Sequence, residues 1–143
     1  MDALTIKAYE GAALLELSDP QPADPQEPVR SFVATFSDAG LRARTLVDVF
    51  DDYEMPGSDV TYLAALFDDL AANWRGWTGS KSWSALDGQL DLECSHDGLG
   101  HITVTIELHP ELDRTRWFVR GGLVIAAGAL DELARSARRF LRL

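Results

Sequence analysis

The sequence predicts an α+β fold: one antiparallel sheet of about six to seven strands with two helices packed on one face, in a βββα-βββα-like order. Three observations carry that expectation. Several segments alternate apolar and polar residues with a period of two, as half-buried antiparallel strands do. Two segments, starting near residues 58 and 129, place apolar residues at helical spacing instead. The segments follow one another as strands, helix, strands, helix, and one-sided helices on a one-sided sheet make a two-layer domain.

The first strands are short. Leu4, Ile6 and Ala8 alternate with Thr5, Lys7 and Tyr9, and Leu15 and Leu17 share one side of the next segment. Gly11 lies between them, so a hairpin is expected. Residues 18–28 hold four of the six prolines and read as a loop. Phe32, Ala34 and Phe36 then share a face, Asp38 to Gly40 turn, and Leu41, Ala43, Val47 and Val49 face inward opposite Arg42, Arg44 and Asp48. After the acidic residues 50–57, Ser58 or Asp59 caps a helix whose apolar stripe is Leu63, Leu66, Phe67, Leu70 and Trp74. The stripe makes Trp74 a core residue.

The glycine-containing residues 75–88 break that helix. Leu90, Leu92 and Cys94 then point in, with Gln89, Asp91 and Glu93 outward. Asp97-Gly98 marks a tight turn. Ile102, Val104, Ile106 and Leu108 point in, opposite His101, Thr103, Thr105 and Glu107. Trp117, Val119, Gly121, Leu123 and Ile125 share one parity, and Arg116, Phe118 and Arg120 the other. The last helix, about 129–141, buries Leu130, Leu133, Ala134, Ala137 and Leu141. Its acidic first turn and basic last turn suit the helix dipole. The tips Ser37–Leu41 and Ser95–Leu99 resemble each other, which raises the idea of an ancient duplication. With both helices on one face, the other face of the sheet is expected to be open, lined by Gln89, Asp91, Glu93, Thr103, Thr105, Glu107, Arg116, Phe118 and Arg120.

Length and composition bound the function. A chain of 143 residues suits one domain, residues 1–143, able to bury a core without disulfide or metal. It carries 23 acidic against 13 basic residues, a formal net charge of -10. That field repels nucleic acid and anionic membranes and attracts a basic protein partner. The lone cysteine, Cys94, forms no intramolecular disulfide and reads as an inert buried thiol. The first residues lack a basic stretch followed by an apolar one, so no signal peptide is expected, and the protein is read as cytoplasmic.

No pattern supports catalysis or a cofactor. There is no phosphate loop, dinucleotide fingerprint or nucleophile elbow. His96, Asp97 and His101 form an H-D-x-x-x-H cluster able in principle to ligate zinc or iron, but no third histidine lies nearer than His109. A polar turn is the plainer reading. The acidic set Asp48, Asp51, Asp52, Glu54, Asp59, Asp68 and Asp69 faces away from the helix stripe and is the better candidate, as a surface for a basic partner. Trp77 and Trp83 are candidate interface anchors.

The run W-R-G-W-x-G-x-K-x-W-x-x-L-x-G (Trp74 to Gly88), followed by S-H-D-G-L-G-H-I-T-V-T-I (Ser95 to Ile106), resembles an uncharacterised actinobacterial family, domain of unknown function 6228. It is also similar to WapI-type immunity proteins of polymorphic toxin systems. The resemblance implies a non-catalytic protein that neutralises a toxin domain by occlusion, without a cofactor; a monomer or homodimer is expected. Trp74, Gly76, Trp77, Gly79, Trp83, Gly88, His96, Asp97, Gly98 and His101 match the motif. Two other readings stand beside it: a small metal-dependent protein using His96, Asp97 and His101, and a homo-oligomeric structural domain.

Overall fold

The structure, a computed structural model, describes residues 2–49, 60–110 and 115–143. In chain order its elements are β1 (Ala3–Lys7), β2 (Leu14–Gln21), β3 (Ser31–Asp38), β4 (Leu41–Asp48), α1 (Val60–Ala72), β5 (Ser80–Ser84), β6 (Leu90–His96), β7 (His101–Leu108), β8 (Val119–Ala126) and α2 (Leu130–Leu141). A single 3-10 turn, Ala127–Ala129, leads into α2.

The strands form two four-stranded sheets, β1-β2-β3-β4 and β5-β6-β7-β8, antiparallel throughout. This corrects the expectation of one sheet with both helices on one face. Period-two alternation tells which side of a strand is buried; it does not tell which strands share a sheet. The error has a local source, β5. Its sequence SKSWS buries only Trp83 and shows serines to solvent, so no alternating apolar pattern announces it. With β5 counted, each half of the chain is four strands and a helix.

The helices do not lie side by side on one sheet face. α1 packs on β5, α2 packs on β1, and the two helices pack on each other. Each half therefore sends its helix to the first strand of the other half. The inner faces of both sheets and the apolar stripes of both helices merge into one contiguous core. At one contact between the sheets the Phe36 ring of β3 reaches the second sheet. A Cβ on Gly121 of β8 would sit 2.4 Å from the Phe36 ring, so only glycine fits there.

One seam between the sheets is closed by a backbone bond, Tyr9 N–H to Val124 C=O at 2.9 Å, beside β1 and β8. The Tyr9 and His101 rings meet beside it, tilted by 34° with centroids 5.1 Å apart. The repeated plan makes β5 and β4 the counterparts of β1 and β8. No backbone hydrogen bond joins β4 to β5 among the described residues.

Three further expectations change. Residues 18–21, assigned to the proline-rich loop, continue β2 through a bulge between Ser18 and Gln21. β1 pairs no further than Ser18, so the stretch holding Pro20 is bonded on one side only, where proline is tolerated. Trp74 is 51% exposed rather than core, because α1 ends at Ala72 and the helical stripe ends with it. The similar tips Ser37–Leu41 and Ser95–Leu99 join β3 to β4 and β6 to β7, which are not equivalent hairpins of the two halves. Their likeness is turn chemistry: each needs a glycine at positive φ, Gly40 at 77° and Gly98 at 78°. The proposed helix cap at Ser58 or Asp59 lies outside the described residues.

Candidate functional site

The Trp–Gly and His–Asp motifs converge on one corner of the second sheet. Asp97 opens the β6–β7 turn. Its Oδ1 accepts the N–H groups of Leu99 (2.6 Å) and His101 (3.1 Å), and its Oδ2 lies 3.0 Å from His101 Nδ1. The Leu99 N–H, against an opposing desolvation and helped by His101, holds the Asp97 carboxyl below the usual carboxylate range.

His96 faces the other way. Its Nδ1 accepts the N–H of Gly98 at 2.8 Å, which leaves Nε2 as the donor to Trp74 C=O at 2.9 Å. The ring therefore ties the turn to the segment after α1. Gly76, at φ 140°, brings its backbone against that ring, and Trp77 meets the same ring edge-on at 5.1 Å. Trp77 also donates its indole N–H to Cys94 C=O at 3.4 Å. Both ring nitrogens of His96 and Nδ1 of His101 are thus used in bonds within the chain. Among the described residues no group of three or more histidine, cysteine or carboxylate side chains is placed to hold a metal.

The anchor candidates separate. Trp83 is buried at 4% exposure beneath α1, while Trp77 is half-buried. Cys94 is buried in the inner face of β6, and burial, with the neighbouring Glu93 carboxylate, pushes its thiol up to about 12.

Of the acidic set, Asp48, Asp68 and Asp69 lie among the described residues; Asp51, Asp52, Glu54 and Asp59 lie outside them. Asp68 of α1 accepts the guanidinium of Arg138 of α2, and the pair holds the Arg138 proton more firmly than usual. Asp69 pairs with Lys81 of β5 at 2.8 Å and accepts Asn73 Nδ2 at 2.8 Å. Both carboxylates are answered from within the chain, which weakens them as a negative surface.

The open face expected from the sequence exists in part. Asp91, Glu93, Thr103, Thr105, Glu107 and Arg120 lie on the outer face of β6, β7 and β8, in cross-strand rows with Ser82 and Ser84 of β5. Ser84 Oγ donates to Asp91 at 3.0 Å, and Arg120 Nε stands 3.5 Å from Glu107. Arg116 and Phe118 precede β8 and do not belong to a strand.

Gln89 is a correction: it is fully buried. It pairs with His109, which is 5% exposed and donates its N–H to Gln89 C=O at 3.2 Å. Thr45 of β4 reaches across to His109 C=O at 3.1 Å. Gln89 Nε2 and Oε1 and His109 Nδ1 have no hydrogen-bond partner among the described residues. Alternation alone places both side chains outward, so the one available signal is Gly88, whose missing Cβ leaves room 3.1 Å from His109 Nε2.

These features define a class: a two-sheet α+β domain whose chemically suggestive motif serves its own turn, and whose outer sheet face is polar. The chain belongs to a family of unknown function, domain of unknown function 6228, whose model matches residues 6–143. No curated protein and no solved structure matches it. Among the described residues, no helix is long and apolar enough to cross a membrane.

Proposed function

We propose that the protein is a non-catalytic, cytoplasmic binding protein for a basic protein domain, and that its particular role is immunity, occluding a bacterial toxin domain. The observation that carries the binding reading is the outer face of β6, β7 and β8. Three carboxylates, Asp91, Glu93 and Glu107, stand there against Arg120, and α1 and α2 pack on other elements. The net charge of -10 extends that field, which would speed encounter with a cationic surface. The immunity role rests further on the resemblance of the Trp74–Ile106 segment to WapI-type immunity proteins. Metal chemistry at His96, Asp97 and His101 has less support, because those side chains are engaged by the turn.

The test is capture of partners from a lysate of the source cells at low salt, followed by association kinetics with the purified partner. A basic polypeptide recovered near stoichiometry is expected, with an on-rate about tenfold lower for the D91N/E93Q/E107Q variant at low salt. An on-rate indifferent to both salt and the triple variant would sink the reading.

A further inference from the structure

The two sheets treat their free edges differently. On β4, Arg42 and Arg44 are exposed and in no ion pair among the described residues, and such charges are the usual way a protein guards a strand edge against adding another. The one cation of β5, Lys81, is held by Asp69 of α1, and its other, exposed side presents Ser80, Ser82 and Ser84.

The hydrogen-bond register shows which β5 groups are available. Ala85 N–H bonds to Leu90 C=O at 2.9 Å, in step with the pairing of Trp83 with Leu92 and Lys81 with Cys94. Antiparallel pairs alternate between bonded and non-bonded, so Ser80, Ser82 and Ser84 turn their N–H and C=O groups away from β6. No other strand takes them up among the described residues. Beside this edge runs a groove of about 560 Å³, walled by Ala65, Leu66 and Asp69 of α1 and floored by Lys81 and Trp83 of β5. A strand edge flanked by a helix is a seat for an extended peptide, with backbone bonds for affinity and pockets for alternate side chains.

The charges select the peptide. Side chains of an added strand alternate between the groove and the outer face. On the outer face they would stand beside Ser82 and Ser84, which pair across β5 with Glu93 and Asp91. Strands lie about 4.8 Å apart, and serine is short, so a lysine or arginine on the added strand reaches over it to those carboxylates. The groove lining is apolar at Ala65 and Leu66, and its charged members, Asp69 and Lys81, pair with each other. We infer that the β5 edge binds an extended basic segment of another protein, alternating cationic with apolar residues, as a fifth strand of the second sheet. This rests on the reading of the protein as a binder of basic proteins, and locates the contact.

The test uses the full chain and a displayed library of random ten-residue peptides, with enriched peptides then synthesised. Ser82→Pro removes the outward N–H and no bond to β6, so the fold is retained, as circular dichroism and the unfolding midpoint would verify. Expected are enriched peptides that alternate basic and apolar residues, slow amide exchange at Ser80, Ser82 and Ser84 when bound, and lose at least tenfold in affinity on Ser82→Pro. E93Q should weaken them with no change in exchange protection of the free protein. The inference is overturned by peptides without that alternation, by binding unchanged in Ser82→Pro, or by dimerisation of the free protein through β5 in light scattering. Binding that responds to D91N/E93Q/E107Q and not to Ser82→Pro would sink the edge while leaving the basic-partner reading standing. No enrichment at all, with a captured partner still bound, would do the same.

Discussion

The two halves follow one plan and fill it with opposite materials. At the contact between β3 and β8 the first half brings aromatic bulk, Phe36, and the second answers it with a glycine, whereas Phe32 meets the Phe140 ring of the second half edge-on at 5.9 Å. The outer faces differ in charge. The first sheet carries Lys7, Arg42 and Arg44 against Glu16 and Asp48, while the second carries Asp91, Glu93 and Glu107 against Arg120 alone among the described residues. The helices differ too: α1 contributes Asp68 and Asp69, which are met by Arg138 and Lys81 from the second half. The halves therefore work as complements. Each supplies the volume or charge the other lacks, so neither is expected to hold its shape alone.

The sharpest way to break that complementarity is at Phe36 and Gly121. Phe36→Ala removes the ring from the interface and should cost about 3–5 kcal/mol. Gly121→Ala forces a methyl into the same ring and should cost about 1–3 kcal/mol, read from urea unfolding. Because the clash is with the ring, Gly121→Ala should cost far less in a Phe36→Leu background. Additive losses would mean that the halves are not fitted at this point.

Next in size is the contrast between two tryptophans of one motif. Trp83→Ala should destabilise by about 3–5 kcal/mol, and Trp74→Ala by no more than about 0.5 kcal/mol, since Trp74 is half exposed and shares its face with the Arg75 guanidinium 5.0 Å away. Equal losses would put α1 one turn longer than described. In the same core, Cys94 should resist iodoacetamide at pH 8 in the native protein and react in urea, because its thiol is held near 12 and buried. Rapid native labelling would place β6 outside the core.

Much of this was legible in the sequence and some was not, for reasons that can be named. The inner residues of β3, β6 and β7 follow from period and spacing alone, as do those of α2 except Phe140, which is buried against Phe32. The existence of two sheets does not, because pairing is decided between strands, and the strand that opens the second sheet is a run of serines around Trp83. The convergence of His96 and Asp97 on a turn was visible as H-D-G. What was not visible is that His96 spends both nitrogens on Trp74 and Gly98, a long-range bond that no local pattern encodes. Alternation places Gln89 outward, and it is buried, because alternation says nothing of what closes over the end of a strand.

The smallest effects set the two similar tips against each other. Asp38 accepts one backbone N–H, that of Ala39 at 2.7 Å, while Asp97 accepts two and faces the His101 ring. Asp97→Asn should therefore destabilise more than Asp38→Asn. The pH dependence distinguishes the cause. The Asp97 carboxyl is lowered in the folded protein, chiefly by the Leu99 N–H. A lowered folded pKa stabilises above the unfolded value of about 3.9, and the stabilisation is lost as pH falls through the folded value. The difference in unfolding midpoint between the native chain and Asp97→Asn should be full at pH 6 and shrink toward pH 3. A difference that stays constant over that range would show that the tip is held by its shape and not by its carboxylate, and would make the two tips equivalent after all.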